Sequence, residues 1–178
     1  MISNRNLIKD ILPDNCIGCE LGVFEGDFSQ KLLDSNKFST LYLVDSFRGH
    51  ASNFGKKYKD ASVLEKIVSQ RFKDNSNVKI IRNTSVNFLK SMSENLFDFI
   101  YIDTVHDYNT TKQELEYSRR VIKNKGLLCG HDFHTTKFPL LVRAVTEFCK
   151  KYNYTYSLTS EDHYPSYFIK IDKYAKNN

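Results

Sequence analysis

Residues 16–29 read CIGCELGVFEGDFS. A short apolar run ends in Glu20, glycines follow at Gly22 and Gly26, and a helical pattern begins at once, with Phe28, Leu32 and Leu33 spaced to share one face. The stretch is a strand, a tight turn and an amphipathic helix. The two glycines let the backbone turn sharply and come close to a ligand. Asp27 is placed to cap the helix that follows.

The same unit recurs outward from this stretch. Residues 41–44 (LYLV) form a strand ending at Asp45, and residues 61–73 a helix with Leu64, Ile67, Val68 and Phe72 on one face. Residues 78–81 (VKII) are a third strand, and 85–92 a short helix. Residues 97–102 (FDFIYI) are a fourth strand ending at Asp103. A helix over 111–123 follows, with a capping box made by Thr111 and Glu114. Residues 126–129 (GLLC) lead into His131 and Asp132, and Leu141, Ala144, Val145 and Phe148 mark another helix. Two last strands, 154–158 and 167–171, are joined by a polar loop containing Pro165. Near-continuous apolar strands are those covered on both faces. The pattern predicts an α/β fold: an open, mostly parallel, seven-stranded sheet with helices on both faces and an antiparallel terminal hairpin. The chain of 178 residues is expected to be a single domain over 1–178.

Composition removes other classes. Apolar residues make up 40% and charged residues 26%, ordinary for a globular domain. No run approaches the roughly 18 apolar residues of a membrane span. The start, MISNRNLIKDILPDN, lacks the features of a secretion signal, so a cytoplasmic location and no membrane partner are expected. The net charge of +5 is spread along the chain, densest at Lys56, Lys57 and Lys59 with Arg48 and His50 nearby. That is no nucleic-acid stripe, and no nucleic-acid partner is expected; a weak pull on anionic substrates is. Cys16 and Cys19 form a CxxC, but Cys129 and Cys149 supply no second pair for zinc. Three apart on a strand, Cys16 and Cys19 point to opposite faces, as buried free thiols do.

In such sheets ligands bind beyond the carboxyl ends of the strands, near the point where strand order reverses. Polar residues gather at all five ends: Glu20 to Asp27, then Asp45 and Ser46, then Asn83, Thr84 and Ser85. After them come Asp103, Thr104, His106 and Asp107, and last His131, Asp132 and His134. The first loop is not GxGxxG, which speaks against a dehydrogenase, and no P-loop occurs. Asp45, ending the second strand, is placed to accept hydrogen bonds from ribose hydroxyls. A ligand with ribose but no phosphate is therefore preferred.

GCELGVFEGDFS (18–29), LYLVDSF (41–47), FDFIYIDTVHDY (97–108) and GLLCGHDF (126–133), in this order, resemble class I S-adenosylmethionine-dependent methyltransferases. Within that class the chain is most similar to methyltransferase family 24, the macrocin- and cephalosporin-type O-methyltransferases. The resemblance runs over about residues 15–150. It implies a Rossmann-like sheet and S-adenosyl-L-methionine as cofactor. It also implies cofactor-binding roles for Glu20, Gly22, Phe24 and Gly26 beside the methionine part, with Phe24 standing where many relatives have glycine. Asp45 resembles the ribose ligand, with Ser46 and Phe47 along the adenine edge and Thr84 and Ser85 beside the ring. Asp103 resembles the acid near the transferred methyl group. In metal-dependent relatives that acid and a pair after the fifth strand bind magnesium. Here the set is Asp103, His131 and Asp132, in which the imidazole suits manganese better than magnesium.

Transfer to an alcohol oxygen needs a base or a metal that acidifies the hydroxyl. His106, three residues past Asp103, is the first candidate for the base, with His131 and His134 in reserve. The expected activity is O-methylation of a small-molecule hydroxyl, on a sugar or secondary metabolite, anionic or sugar-like. The alternative is a non-catalytic binding module of the same fold. A nucleic-acid methyltransferase ranks lower, because IDTVHDY has no proline where base-modifying enzymes often carry one. With only about 15 residues before the first strand, the acceptor is expected to be held by residues 46–60, the loop after Asp132, the terminal hairpin, or a second copy in a homo-oligomer.

Overall fold

The computed structural model describes residues 4–48, 61–160 and 163–174. The long connection expected at 46–60, including its lysines and His50, lies outside the described residues from position 49 onward.

A short 3-10 turn over Arg5–Ile11 (η1) precedes the first strand, β1 (Cys16–Leu21). Then follow α1 (Asp27–Leu33), β2 (Phe38–Asp45), α2 (Ala61–Arg71), β3 (Val78–Arg82), α3 (Ser85–Ser91) and β4 (Phe97–Ile102). The chain continues through α4 (Tyr108–Val121), β5 (Ile122–Gly130), α5 (Pro139–Tyr152), β6 (Tyr156–Leu158) and β7 (Tyr167–Lys170). The strands form one seven-stranded sheet in the order β3-β2-β1-β4-β5-β7-β6. Pairs among β1 to β5 are parallel, whereas β7 runs antiparallel to both β5 and β6. The chain winds one way through β1, β2 and β3 and the other way through β4 and β5. The reversal falls between β1 and β4, and this is where such sheets open a ligand crevice.

Two apolar clusters flank the sheet. One joins Ile8, Phe28, Leu32, Leu64, Val68 and Phe72 to strand residues such as Leu41, Leu43, Phe99 and Tyr101. The other joins Phe88, Leu115, Val145 and Phe148 to Leu21, Ile100, Ile102 and Leu128. Helices therefore cover both faces, as the unbroken apolar strands require. Cys16 and Cys19 fall in different clusters, in keeping with their three-residue spacing on β1, and all four cysteines are buried and free. No helix among the described residues is long and apolar enough to cross a membrane.

Three local expectations are corrected. Asp27 is not the cap of α1: Gly26 occupies that position with φ +82, and Asp27 begins the helix and pairs with Arg71 at 2.6 Å. Helix α4 starts at Tyr108 rather than 111, because the Asp107 side chain accepts from the Thr110 N–H and caps the helix earlier. Thr111 and Glu114 are thus interior to the helix, both buried, and form no capping box. Ile67, assigned to the buried face of α2, is 37% exposed, whereas Leu64 and Val68 are buried.

Candidate active site

Gly22 sits where β1 leaves the sheet, at φ +88. A Cβ there would lie 1.9 Å from the Asp103 carbonyl oxygen, so the β1 and β4 ends approach as closely as only glycine allows. The approach is tied by Asp103 N–H donating to the Leu21 carbonyl, while Gly22 N–H donates to that of Val44 on β2. Phe24 also has positive φ (+53) and donates its N–H to Asp45 Oδ2 at 3.0 Å, beside the N–H of Val23 at 2.8 Å. Asp45 Oδ1 accepts from the Phe47 N–H at 2.8 Å. Asp45 therefore knits the first loop to the turn after β2. A carboxylate has about four lone-pair sites, so about one remains on Oδ1 for a ligand.

Beside it lies a cleft of about 330 Å³ lined by Ser46, Arg48, Arg82, Asn83, Thr84 and Asn87, in the range of small-molecule sites. Of the residues expected along the adenine edge, Ser46 and Thr84 line this cleft. Phe47 turns its side chain fully into the core and offers only backbone. Ser85 points its hydroxyl inward, donating to Glu114 Oε1 at 2.5 Å, and Thr104 donates to the same oxygen at 2.7 Å. Glu114 is completely buried and its Oε2 has no partner, and burial pushes its pKa up to about 7. It links the turn after β3 to the turn after β4. The sequence hid this role, because Glu114 reads there as part of a helix cap.

Glu20 is also buried. It accepts from the Ser29 hydroxyl at 2.5 Å, and burial raises its pKa to about 8 despite that bond. Asp103, at the end of β4, has its pKa raised by desolvation, opposed by the nearby His131.

The turns after β4 and β5 bring the remaining candidates together. His106 Nε2 lies 2.7 Å from Asp132 Oδ2, and the imidazole stacks on Phe138 at 4.0 Å and 20°. His131 Nδ1 is 3.2 Å from Asp132 Oδ1 and 3.9 Å from Asp103 Oδ2. Burial alone would raise the Asp132 pKa, but the hydrogen bonds and charge of the two histidines outweigh it and hold the carboxyl well below the usual range. Asp103, His131 and Asp132 each offer a ligand atom within 4.8 Å of the others. His134 is engaged elsewhere: its Nδ1 accepts from the backbone of Thr136 and Lys137. Three neighbours of the site went unread in the sequence. Phe138 and Tyr164 supply rings beside the histidines, and Arg5 reaches Asp103 Oδ2 at 3.3 Å. No local pattern announces such long-range contacts.

A protein-family model described as a methyltransferase domain matches residues 19–133, from β1 through the turn after β5. The chain belongs to this methyltransferase family. It is the class I, S-adenosylmethionine-dependent family that the four motifs resemble. A search of curated protein sequences finds no match to the chain. Among solved structures, this methyltransferase resembles SMU.1697c of Streptococcus mutans in complex with SAH, with a TM-score of 0.68, 13% identity, and coverage of 93% of each chain. It also resembles the N-methyltransferase NodS of Bradyrhizobium japonicum WM9, with a TM-score of 0.67, 14% identity, and coverage of 95% of this chain and 92% of the other. An rRNA methylase from Streptococcus thermophilus gives a TM-score of 0.67 at 14% identity, over 94% of this chain and 93% of that one. At these identities the likeness is one of fold, and these names span acceptors of different kinds. The methyltransferase's own residues must carry the argument for its substrate. They fit the cofactor well: a polar cleft beside Asp45, a glycine turn between β1 and β4, and buried Glu20 behind it.

Proposed function

We propose that this protein transfers the methyl group of S-adenosyl-L-methionine to a hydroxyl oxygen of a small-molecule acceptor. The adenosine lies in the cleft of Ser46, Asn83 and Thr84, with Asp45 Oδ1 accepting from the ribose. Glu20, Gly22, Phe24 and Gly26 border the methionine part, and Asp103 stands beside its cationic groups. The observation that carries the reading is the His106–Asp132 contact of 2.7 Å next to Asp103. With Nε2–H donating to Asp132, Nδ1 of His106 holds the lone pair, and the carboxylate fixes the ring and stabilises the imidazolium. The acceptor oxygen attacks the methyl carbon, the carbon–sulfur bond breaks, and the hydroxyl proton passes to His106. A neutral amine attacks without such help. A positioned base therefore favours an alcohol or phenol. Phe138 stacked on His106, Tyr164 beside it and Lys137 over the Tyr164 ring offer aromatic faces and a cation, which suit a sugar-like or anionic metabolite.

A second reading rests on the spacing of Asp103, His131 and Asp132. Two carboxylates and an imidazole suit manganese or a similar divalent ion, which would acidify the acceptor hydroxyl. Arg5 would then have to yield its place at Asp103.

The test is a thermal melt of the purified protein with and without S-adenosylhomocysteine, in EDTA and then in magnesium or manganese. Ligand at about 100 times its dissociation constant adds about 2.7 kcal/mol, or roughly 5 to 11 °C at this size. A rise in EDTA supports a cofactor site that needs no ion, a rise that needs the ion supports a cation held beside the cofactor, and transfer measured in EDTA separates base from metal. No rise in any condition rejects the cofactor and leaves a non-catalytic module. Methyl transfer from labelled cofactor to hydroxylated acceptors, with amines as controls, tests the acceptor class.

A further inference from the structure

The N-terminal turn η1 delivers one side chain to the strand ends. Arg5 is about one quarter exposed, and its guanidinium carbon stands 4.8 Å over the Phe28 ring while Nη1 reaches Asp103 Oδ2. Its charge opposes burial at Glu20, Tyr101 and Asp103 alike, so it sits among all three. The region is otherwise acidic, with Glu20, Asp45, Asp103 and Asp132 converging on it. Asp103 has ion-pair contacts with Arg5 and His131, and the arginine guanidinium keeps its charge at every working pH.

We infer that Arg5 binds the α-carboxylate of the cofactor's amino-acid tail, opening its contact with Asp103 to do so. The inference rests on the cofactor assignment above. With adenosine in the cleft between β2 and β3 and the reacting end at Asp103 and His106, the tail must cross the ends of β1 and β4. There a carboxylate meets the side chains of Asp45, Asp103 and Asp132 unless a cation receives it. Arg5 suits that task by geometry. A planar fork offers two parallel donors to a carboxylate, and Phe28 supports it from one face. The contact with Asp103 is long for a charge-assisted bond, which usually spans about 2.7–2.9 Å, and it runs from one nitrogen only. It is a pair that can exchange. The cofactor's zwitterionic head replaces it in kind: carboxylate to Arg5, ammonium toward the acid that Arg5 releases.

The experiment is calorimetric binding of two ligands, S-adenosylhomocysteine and 5′-methylthioadenosine, which shares the thionucleoside but has no amino-acid tail. Wild type is compared with Arg5→Gln, Arg5→Ala and Arg5→Lys. Losing a charge-assisted contact should weaken S-adenosylhomocysteine by about 10- to 100-fold in the Gln and Ala variants. Lys should recover part of the loss, and 5′-methylthioadenosine should change by less than about 3-fold in every variant. Unchanged S-adenosylhomocysteine affinity overturns the inference. So does an equal loss for both ligands, which would make Arg5 a prop for the fold. If wild type binds 5′-methylthioadenosine but gains nothing from the tail, the carboxylate site is wrong while the nucleoside site stands. If wild type binds neither ligand, the cofactor assignment itself falls.

Discussion

Gly22→Ala should injure both fold and site, by an amount that the geometry sets. The added Cβ would lie 1.9 Å from the Asp103 oxygen, 2.6 Å from its carbonyl carbon and 3.2 Å from the Thr104 nitrogen. Relief requires the β1 and β4 ends to part by about 1 Å, since ordinary contacts begin above about 3 Å. They are held together by the Asp103 N–H to Leu21 bond, and moving Gly22 also pulls on its own N–H bond to Val44 of β2; both are 2.8 Å, and each bond is worth about 1 kcal/mol net. Forcing alanine to φ +88 costs about 1–2 kcal/mol more. The sum is about 3 kcal/mol, a fall of about 6 to 12 °C in Tm for a chain of this size. Gly18→Ala is the comparison, because its Cβ would meet the Phe38 ring rather than the site. Both variants should melt earlier. Only Gly22→Ala should also weaken S-adenosylhomocysteine in calorimetry, because only it displaces Asp103. A Gly22→Ala protein that melts within about 1 °C of wild type would refute the argument from close approach.

Glu20 is held mainly neutral at pH 7, with its pKa raised from 4.5 to about 8. Its stabilising effect is fully present below about pH 4.5 and is lost as pH rises through 8. Over that window wild type should lose up to about 4 kcal/mol relative to Glu20→Gln in urea titrations of the ligand-free protein, and parallel stability curves for the two would argue against a buried acid. Asp45→Asn places an amide donor against the N–H groups of Val23, Phe24 or Phe47. It should weaken S-adenosylhomocysteine by about 10-fold or more in calorimetry, and unchanged affinity would remove Asp45 as the anchor of the ribose end. Asp132→Asn and His106→Ala should slow transfer by about 100-fold or more while leaving cofactor affinity within about 3-fold, as read from single-turnover rates beside binding; full turnover in His106→Ala would remove it as the base.

The sheet was legible because its chemistry is local. An apolar run that stops at an acid or glycine declares a strand end, and four such ends place Glu20, Asp45, Asp103, His131 and Asp132 at one edge. The errors lie where local signals compete. Asp107 and Thr111 are both good cap residues, and only the structure shows Asp107 taking the role while Thr111 is buried. Ser85 and Glu114 are 29 residues apart, so their bond leaves no trace in spacing. Arg5 is the extreme case: it lies in a short 3-10 turn without apolar periodicity, and its contact with Asp103 spans 98 positions. A single charged residue in such a turn reads as solvated surface unless the far partner is known.

Asp132 shows how one carboxylate can serve two preparations of the same hydroxyl. Its φ of +60 turns the side chain so that Oδ2 meets His106 and Oδ1 meets His131. If His131 Nδ1 carries its proton, it donates to Oδ1, and the group is a hydrogen-bonded chain that holds His106 ready. If Nδ1 is bare, the same nitrogen and Oδ1 could join Asp103 in holding a divalent ion, which would acidify the acceptor hydroxyl. Oδ2 keeps His106 in either state. The His106–Asp132 contact is therefore independent of the metal question, and removing His131 separates the two. His131→Ala keeps the base and its carboxylate but removes the nitrogen donor of the cation set. Transfer that survives in that variant, and is indifferent to EDTA, would place the burden on His106 alone. Transfer that collapses there, with the cofactor still bound, would place it on the three-residue set.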